Sequence, residues 1–139
     1  MNERFPVTPR RRGEPPRPED ASRVGIMRRI TKARLKYCGL GAMTEDVLVL
    51  VSELVTNSIL HSGTTEISLK VTLQEGRLRI NVHDGIEGSI KPKQPNDSAE
   101  SGRGLALVSA LVQENGGEWG VSEDGTTVWC LLLAREERK

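Results

Sequence analysis

Two segments of alternating apolar and polar residues, joined by a two-residue turn, constrain the fold of this chain most strongly. The segments TEISLKVTL (65–73) and RLRINVHD (77–84) place an apolar side chain at every second position, which is the period of a half-buried β-strand. Glu75 and Gly76 between them suit a tight turn. The two segments therefore predict an antiparallel hairpin, and EWGVSEDGTTVWCLLLA (118–134) predicts a second one.

Three helices are predicted beside the hairpins. The first begins at Ser22 as N-cap and continues to about Tyr37, and the second begins at Thr44 as N-cap and continues to about His61. The third covers GRGLALVSALVQENGG (102–117), which glycines open and close. The order α, α, β, β, loop, α, β, β predicts an α+β fold, with helices on one face of a mixed, mostly antiparallel sheet.

The length of 139 residues corresponds to one domain with a core of its own. Residues 1–20 hold five of the seven prolines and five arginines, so we expect a disordered or loosely docked tail there and the folded domain at 21–136. Residues 85–101 are expected to form a polar loop. Cys38 and Cys130 lack metal-ligand spacing and are expected to be small buried thiols in a reducing compartment.

Composition disfavours two classes of partner. No apolar run approaches the roughly 20 residues of a membrane span, and the first residues lack the apolar part of a signal peptide. We therefore expect a soluble, cytoplasmic protein without membrane contact. The net charge of +1 and the four aromatic residues offer neither the field nor the stacking surface for direct nucleic acid binding.

The predicted first helix carries charge of one sign. It contains no acidic residue and six basic ones: Arg23, Arg28, Arg29, Lys32, Arg34 and Lys36. Two interpretations remain open, an ordinary solvated face and a docking face for an acidic protein.

Three short polar segments carry the functional signal. The first is SELVTNSILHS (52–62), in which Glu53, Asn57 and His61 follow one another at steps of four and so share one side of a helix. An asparagine oxygen is a hard ligand suited to Mg²⁺, which takes further oxygens from phosphates and water.

The other two segments add nucleotide chemistry. In HDGIEG, Asp84 ends a predicted buried strand, where its carboxylate can accept a hydrogen bond from an exocyclic amine such as that of adenine. In GRGL (102–105), glycines at the predicted helix start let phosphate oxygens approach backbone N–H groups. The three segments together describe a site for ATP and Mg²⁺.

These motifs resemble those of the Bergerat-fold (GHKL) ATPases, the superfamily that includes DNA gyrase, the histidine kinases and MutL. SELVTNSILHS is similar to the N box, DGIEG to the G1 box, GRGL to the G2 box, and DGTTVWCLLL to the closing Gly-Thr strand. The match runs from about residue 22 to 134. It implies a two-layer α/β sandwich of the histidine-kinase-like ATPase type.

Within that superfamily the chain resembles the small single-domain anti-sigma-factor serine kinases. Gyrase and MutL relatives are much longer, and both histidines of this chain lie inside the ATP domain rather than in a phosphoacceptor helix. The resemblance implies an ATP-binding anti-sigma regulator with serine/threonine kinase activity. Its implied partners are a sigma factor, a STAS-type anti-anti-sigma protein, or both, and it also admits a homodimer.

The resemblance implies a role for each matching residue. Glu53 is expected to be the general base for a substrate serine, Asn57 the Mg²⁺ ligand, and Asp84 the acceptor for the adenine amine. The other expected nucleotide contacts are His61, Gly88, Gly102, Arg103, Gly104, Leu105 and Thr126.

One position departs from the family pattern. The G1 box is usually Asp-x-Gly-x-Gly, and Ile86 stands where its first glycine is expected. A β-branched residue is disfavoured at positive φ and adds bulk beside the purine. An alternative therefore stays open, a non-enzymatic binding module of the same fold with weak or no nucleotide binding. A third interpretation, an α+β domain whose glycines only form turns, leaves the joint spacing of the motifs unexplained.

Overall fold

The computed structural model describes residues 1–7, 18–61, 64–85 and 99–135, without the side chains of His61 and of residues 99–104. Those residues form three helices, five strands and one 3₁₀ turn. In chain order the elements are β1 (Asn2–Pro6), α1 (Pro18–Tyr37), the 3₁₀ turn (Gly41–Met43), α2 (Thr44–His61), β2 (Glu66–Gln74), β3 (Arg77–His83), α3 (Ala99–Glu114), β4 (Glu118–Val121) and β5 (Thr127–Leu133).

The five strands form one sheet in the order β1-β2-β3-β5-β4, and each neighbouring pair is antiparallel. Glu75 and Gly76 both have positive φ, as the predicted tight turn between β2 and β3 requires. Alternate residues of the three central strands are buried on one face, where the helices pack. They are Ile67, Leu69, Val71, Leu78, Ile80, Val82, Val128, Cys130 and Leu132. The predicted two-layer α+β architecture is confirmed.

Helix α2 is the centre of the helical layer. Six of its apolar residues are buried in the core, and Glu45 is its one exposed side chain among residues 44–60. The six are Val47, Leu50, Val51, Leu54, Val55 and Ile59. Helix α1 lies on one side of it, where Arg28 donates a hydrogen bond to the Ser52 hydroxyl over 2.9 Å. Helix α3 lies on the other side, where Asn115 donates to Asp46 over 2.9 Å. Both flanks of α2 are therefore covered, which accounts for its continuous apolar sequence.

Helices α1 and α3 are both terminated by a glycine, and the glycine end of α3 was predicted from the sequence. Gly39 and Gly116 have φ values of 74° and 66°, and the following residues donate to carbonyls five positions back, Leu40 to Leu35 and Gly117 to Val112. This is the Schellman arrangement, in which a left-handed residue satisfies the last carbonyls of a helix.

The predicted starts of α1 and α3 are wrong by a few residues, and the predicted start of α2 at Thr44 is correct except for the role of Thr44 as N-cap. Helix α1 begins at Pro18, because proline suits the first helical position, and Ser22 lies inside the helix with its hydroxyl donating to Glu19. Thr44 already has helical φ and ψ of −55° and −50° and follows the 3₁₀ turn, so it is no N-cap. Helix α3 begins at Ala99, inside the predicted loop, because alanine and glutamate are good helix formers.

The prediction of a disordered or loosely docked N-terminal tail is wrong for the first residues of the chain. Asn2–Pro6 form edge strand β1, paired with β2, and Phe5 is only 2 % exposed against the core. Proline is tolerated here because an edge strand leaves half of its N–H groups unpaired. Residues 8–17 lie outside the described residues, and α1 starts three residues before the predicted boundary at 21.

Two further predictions can be placed in the fold. Cys130 is a buried free thiol, and its burial raises its pKa to about 12, while Cys38 is free and half-buried. Among the helices that the structure describes, none has both the length and the apolar character needed to cross a membrane.

Candidate functional site

Those predicted site residues that the structure describes lie toward one end of the sandwich. Strand β5 runs antiparallel to β3, so it starts where β3 ends, with Thr127 opposite His83. Thr64, which follows α2 and precedes β2, donates a hydrogen bond from its hydroxyl to the carbonyl oxygen of Asp84 over 2.8 Å. This bond joins the end of α2 to the end of β3.

Helix α3 reaches the same end because it runs antiparallel to α2. The hydrogen bond between Asp46 and Asn115 joins the first turn of α2 to the residue that follows α3. Asn57 lies eleven residues after Asp46, and Gly104 lies eleven residues before Asn115. Because both helices rise by about 1.5 Å per residue, Gly104 in the second turn of α3 lies level with Asn57, and the first turn of α3 lies level with the last turn of α2. The start of α3 therefore belongs to the same end of the fold as the polar stripe of α2.

The stripe itself is half-buried. Glu53 and Asn57 lie one helical turn apart on α2, and both are of intermediate exposure. Within the described part of the chain, no hydrogen bond occupies either side chain, although donors and acceptors at this depth are usually paired. A carboxylate and a carboxamide are therefore available to a ligand at the rim of the helical layer. His61 is the last residue of α2, and its side chain lies outside the description.

Asp84 is the most buried acidic residue of the predicted set, with 4 % exposure. It continues the alternation of β3 and so lies on the inner face, below the helices. Its N–H donates to the Thr126 carbonyl over 2.9 Å and its own carbonyl accepts from Thr64. Both backbone groups are fixed, which holds the carboxylate at a defined place at the end of the strand.

Thr126 lies opposite Asp84, as the predicted site requires, because the pairing of β3 and β5 extends by one residue through that N–H···O bond. Its hydroxyl donates to Asp124 in the turn before β5 over 2.8 Å. Hydrogen bonds from the Ser122 hydroxyl and from the N–H and hydroxyl of Thr126 lower the pKa of Asp124 to about 2. The turn that carries Thr126 is thereby tied down by a charged acceptor.

The remaining predicted residues have mixed outcomes. Leu105 is half-buried on α3, and Gly102, Arg103 and Gly104 lie in the first two turns of that helix rather than before it. The unpaired N–H groups of an α-helix come from its first turn, so here they begin at Ala99 and not at the predicted glycines. Gly88, and Ile86 in the same motif, lie outside the described residues.

Sequence reasoning missed two groups that shape this site. One is Thr64, whose only signal was its place in the small polar run between α2 and β2. The other is Asn115, which follows α3 and fixes that helix against α2, and for which the sequence signal was the asparagine before two glycines.

The donor set is suited to a nucleotide with its metal rather than to a metal held by the protein alone. Across the described ranges, no three His, Cys, Asp or Glu side chains are grouped as a metal site. Mg²⁺ typically takes one or two protein oxygens and completes its shell with phosphates and water. A single carboxamide at Asn57, beside a helix start that favours anions, meets that requirement.

Comparisons with known proteins agree with this fold. The family model described as histidine kinase-like ATPase domain matches residues 17–131. The structure of full-length ShkA in complex with AMPPNP has a TM-score of 0.57 at 20% identity, covering 69% of this chain and 23% of that chain. At 20% identity this likeness shows the fold alone.

Two structures come from one photoreceptor kinase. The blue-light activated histidine kinase EL346 of Erythrobacter litoralis has a TM-score of 0.55 at 26% identity, covering 68% of this chain and 31% of that one. Its histidine kinase domain has a TM-score of 0.55 at 25% identity, covering 83% and 61%. This chain thus covers less than a third of the ShkA chain and of the longer of the two EL346 chains. No curated protein sequence matches it significantly.

Proposed function

The chain belongs to the histidine kinase-like ATPase domain family, and from that premise we propose that it binds Mg·ATP and phosphorylates a serine of a protein partner. We further propose that it acts in the cytoplasm as an anti-sigma regulator. Its partners would be a sigma factor, a STAS-type anti-anti-sigma protein that carries the serine, or both. The regulatory part of the proposal is supported by the resemblance of the motifs to the small anti-sigma kinases.

The observation that carries ATP binding is that α2, β3, β5 and α3 converge at one end of the sandwich. The buried carboxylate of Asp84, the open carboxamide of Asn57 and the first turn of α3 offer one group each for the purine, the metal and the phosphates. These are the three chemically different parts of Mg·ATP. The ShkA structure, which shares the fold, was determined in complex with AMPPNP, an ATP analogue.

Each group has a definite task in this proposal. Mg·ATP, when bound, supplies the transferable phosphoryl group and neutralises part of its charge. Asp84 accepts a hydrogen bond from the adenine amine, and Asn57 ligates Mg²⁺ through its side-chain oxygen. The N–H groups at the start of α3 hold phosphate oxygens, and Arg103 adds positive charge on the same helix.

Glu53 is the residue that separates a kinase from a passive binder. It lies one turn before Asn57, half-buried, with no described hydrogen-bond partner. A carboxylate in that place can accept the proton of a serine hydroxyl as the hydroxyl oxygen bonds to the γ-phosphorus of ATP, while the bond from that phosphorus to the β–γ bridging oxygen breaks and ADP leaves. A protein that only bound nucleotide would have no chemical need for it.

A second candidate function is a regulatory binding module of the same fold without phosphoryl transfer. The observation that favours it is Ile86, which replaces a glycine in the motif that follows Asp84. In that case the domain acts through protein contact, and nucleotide has little influence on it.

Replacement of Glu53 by glutamine tests the kinase proposal. A protein captured on the immobilised wild-type chain is incubated with either the wild-type chain or the variant and with Mg·ATP. Phosphoserine on the captured protein is then measured by mass spectrometry. We expect Glu53→Gln to keep nucleotide affinity and to lower the rate of phosphoserine formation by about a hundredfold or more, the usual contribution of a general base. Transfer at the wild-type rate would refute the assignment of Glu53.

A further inference from the structure

The charge of this chain is distributed unevenly. Residues 21–44 contain six arginines and lysines and no acidic residue, whereas residues 45–139 contain nine basic and fifteen acidic residues. With Glu19 and Asp20 in its first turn, helix α1 as a whole carries six basic and two acidic residues, and the chain is acidic from residue 45 onward.

The cations of α1 lie on one exposed stripe. Arg28, Lys32 and Lys36 follow one another at steps of four and are exposed, with Arg29 beside them. The neighbouring side of the helix, about 100° around its axis, buries Met27, Thr31 and Leu35 in the core. The stripe is about 12 Å long, since eight steps of 1.5 Å separate Arg28 from Lys36.

The described part of the chain offers this stripe no carboxylate partner. Among the described residues, none forms an ion pair with Arg28, Arg29, Lys32 or Lys36, and the hydrogen bond of Arg28 goes to the neutral Ser52 hydroxyl. A row of like charges on one helix face costs free energy, which a partner of opposite charge would recover.

The stripe adjoins the helix of the proposed general base. Arg28 contacts Ser52 over 2.9 Å, and Ser52 immediately precedes Glu53 on α2. A protein that presents a serine to Glu53 must therefore cover surface next to α1.

The end of the stripe carries an aromatic anchor. Tyr37 is 82 % exposed, whereas Phe5 is buried and both tryptophans are half-buried. The Arg34 guanidinium lies 5.4 Å from the centroid of the Tyr37 ring. Tyrosine and arginine are, with tryptophan, the residue types enriched at the energetic centres of protein interfaces.

We propose that Arg28, Arg29, Lys32, Lys36 and Tyr37, together the α1 surface, dock an acidic helix of the serine-bearing protein. This inference rests on the proposed function. A helix with carboxylates at every fourth position matches the spacing of the stripe and brings its own protein beside α2. The exposed face of α1 has no leucine, isoleucine or phenylalanine to insert into a membrane, and a single tyrosine gives little stacking surface for nucleic acid.

The test uses two labelled helical peptides of about 20 residues and identical composition. One peptide carries glutamate at every fourth position, and the other distributes the same glutamates around the helix. Fluorescence anisotropy measures their affinities for the full chain, for the double variant Arg29→Glu/Lys32→Glu, and for the matched control Lys70→Glu/Arg77→Glu. The control reverses two exposed cations of the hairpin β2–β3. Tyr37→Ala is a third variant.

The striped peptide is expected to bind about tenfold more tightly than the dispersed one. The α1 double variant should weaken that binding by about tenfold or more, Tyr37→Ala should weaken it severalfold, and the control should change it less than about twofold. Equal affinity for both peptides, or equal effects of the two double variants, would overturn the inference. So would tighter binding of a single-stranded oligonucleotide or of phosphatidylserine vesicles through the same cations.

Calorimetry with Mg·ATP separates this inference from the proposed function. If nucleotide binds and the striped peptide is not preferred, the α1 surface is wrong and the ATP site stands. If the peptide results are as expected and nucleotide does not bind, the docking surface stands and the kinase proposal fails.

Discussion

Replacing Asn115 by alanine should remove the contact that holds α3 against α2. The side chain is 5 % exposed and makes three hydrogen bonds. Its Nδ2 donates to Asp46 over 2.9 Å and to the Leu111 carbonyl over 2.8 Å, and its Oδ1 accepts from Arg135 over 2.9 Å. Two of the three partners are charged, so this amide joins the start of α2, the end of α3 and the residues after β5.

The expected cost follows from those partners. A hydrogen bond to a charged group contributes about 1.5–3 kcal/mol and a neutral one about 0.5–1.5 kcal/mol. Because Asp46 is half-buried and Arg135 is exposed, solvent weakens both charged bonds, and we expect a total loss of about 2–3 kcal/mol in the free energy of unfolding. In urea this corresponds to a midpoint lower by about 1–2 M.

The control for this experiment is Asn81→Ala on the outer face of the sheet. Asn81 accepts one exposed hydrogen bond from Arg79, so its loss should cost less than about 0.5 kcal/mol. Asn115→Ala should also weaken nucleotide binding, since the start of α3 is no longer fixed beside Asn57. A destabilisation below about 1 kcal/mol, or one equal to that of the control, would refute the reasoning.

Three further predictions concern the scaffold. A Cβ at Gly117 would lie 1.8 Å from a carbonyl oxygen of β5, so Gly117→Ala should lower the urea-unfolding free energy by more than about 3 kcal/mol. Gly39→Ala, at a position with open space and a φ of 74°, should lower the same free energy by only about 1 kcal/mol. Equal losses in the two variants would contradict the clash expected at Gly117. Asp124 should titrate by NMR with a pKa of about 2. Since folding lowers this pKa, the ionised Asp124 stabilises the folded protein above about pH 4, and this contribution is lost as the pH falls toward 2. The Asp124→Asn variant should not show this loss, and a titration of Asp124 near pH 4 would contradict the prediction. Burial and a pKa of about 12 should make Cys130 unreactive toward thiol reagents at about pH 8 until the protein unfolds, whereas half-buried Cys38 reacts first. Equal reaction rates of the two thiols in the folded protein would refute this prediction.

Local patterns explain what the sequence predicted well. The alternation of β2 and β3 specified which face is buried, and the two positive φ values at Glu75 and Gly76 agree with the turn residues. The spacing of Glu53 and Asn57 on α2 likewise follows from helix geometry alone. Features with a period of two or of 3.6 residues need no knowledge of the rest of the chain.

Features that depend on distant partners were not predictable. Thr64 meets Asp84 across 20 residues of sequence, and Asn115 meets Asp46 across 69. The N-terminal strand was missed because its five residues lie in a proline-rich segment and gain their structure from pairing with β2, far along the chain. Its single strongly apolar residue, Phe5, gives no periodicity to detect.

The central claim is that the polar stripe of α2 binds Mg·ATP, and calorimetric titration with Mg·ATP tests it most directly. Wild type and the control Asn81→Ala should bind with dissociation constants between micromolar and submillimolar, and Asn57→Ala should lose the binding heat. Absence of heat with wild type at millimolar nucleotide, or unchanged affinity in Asn57→Ala, would contradict the account.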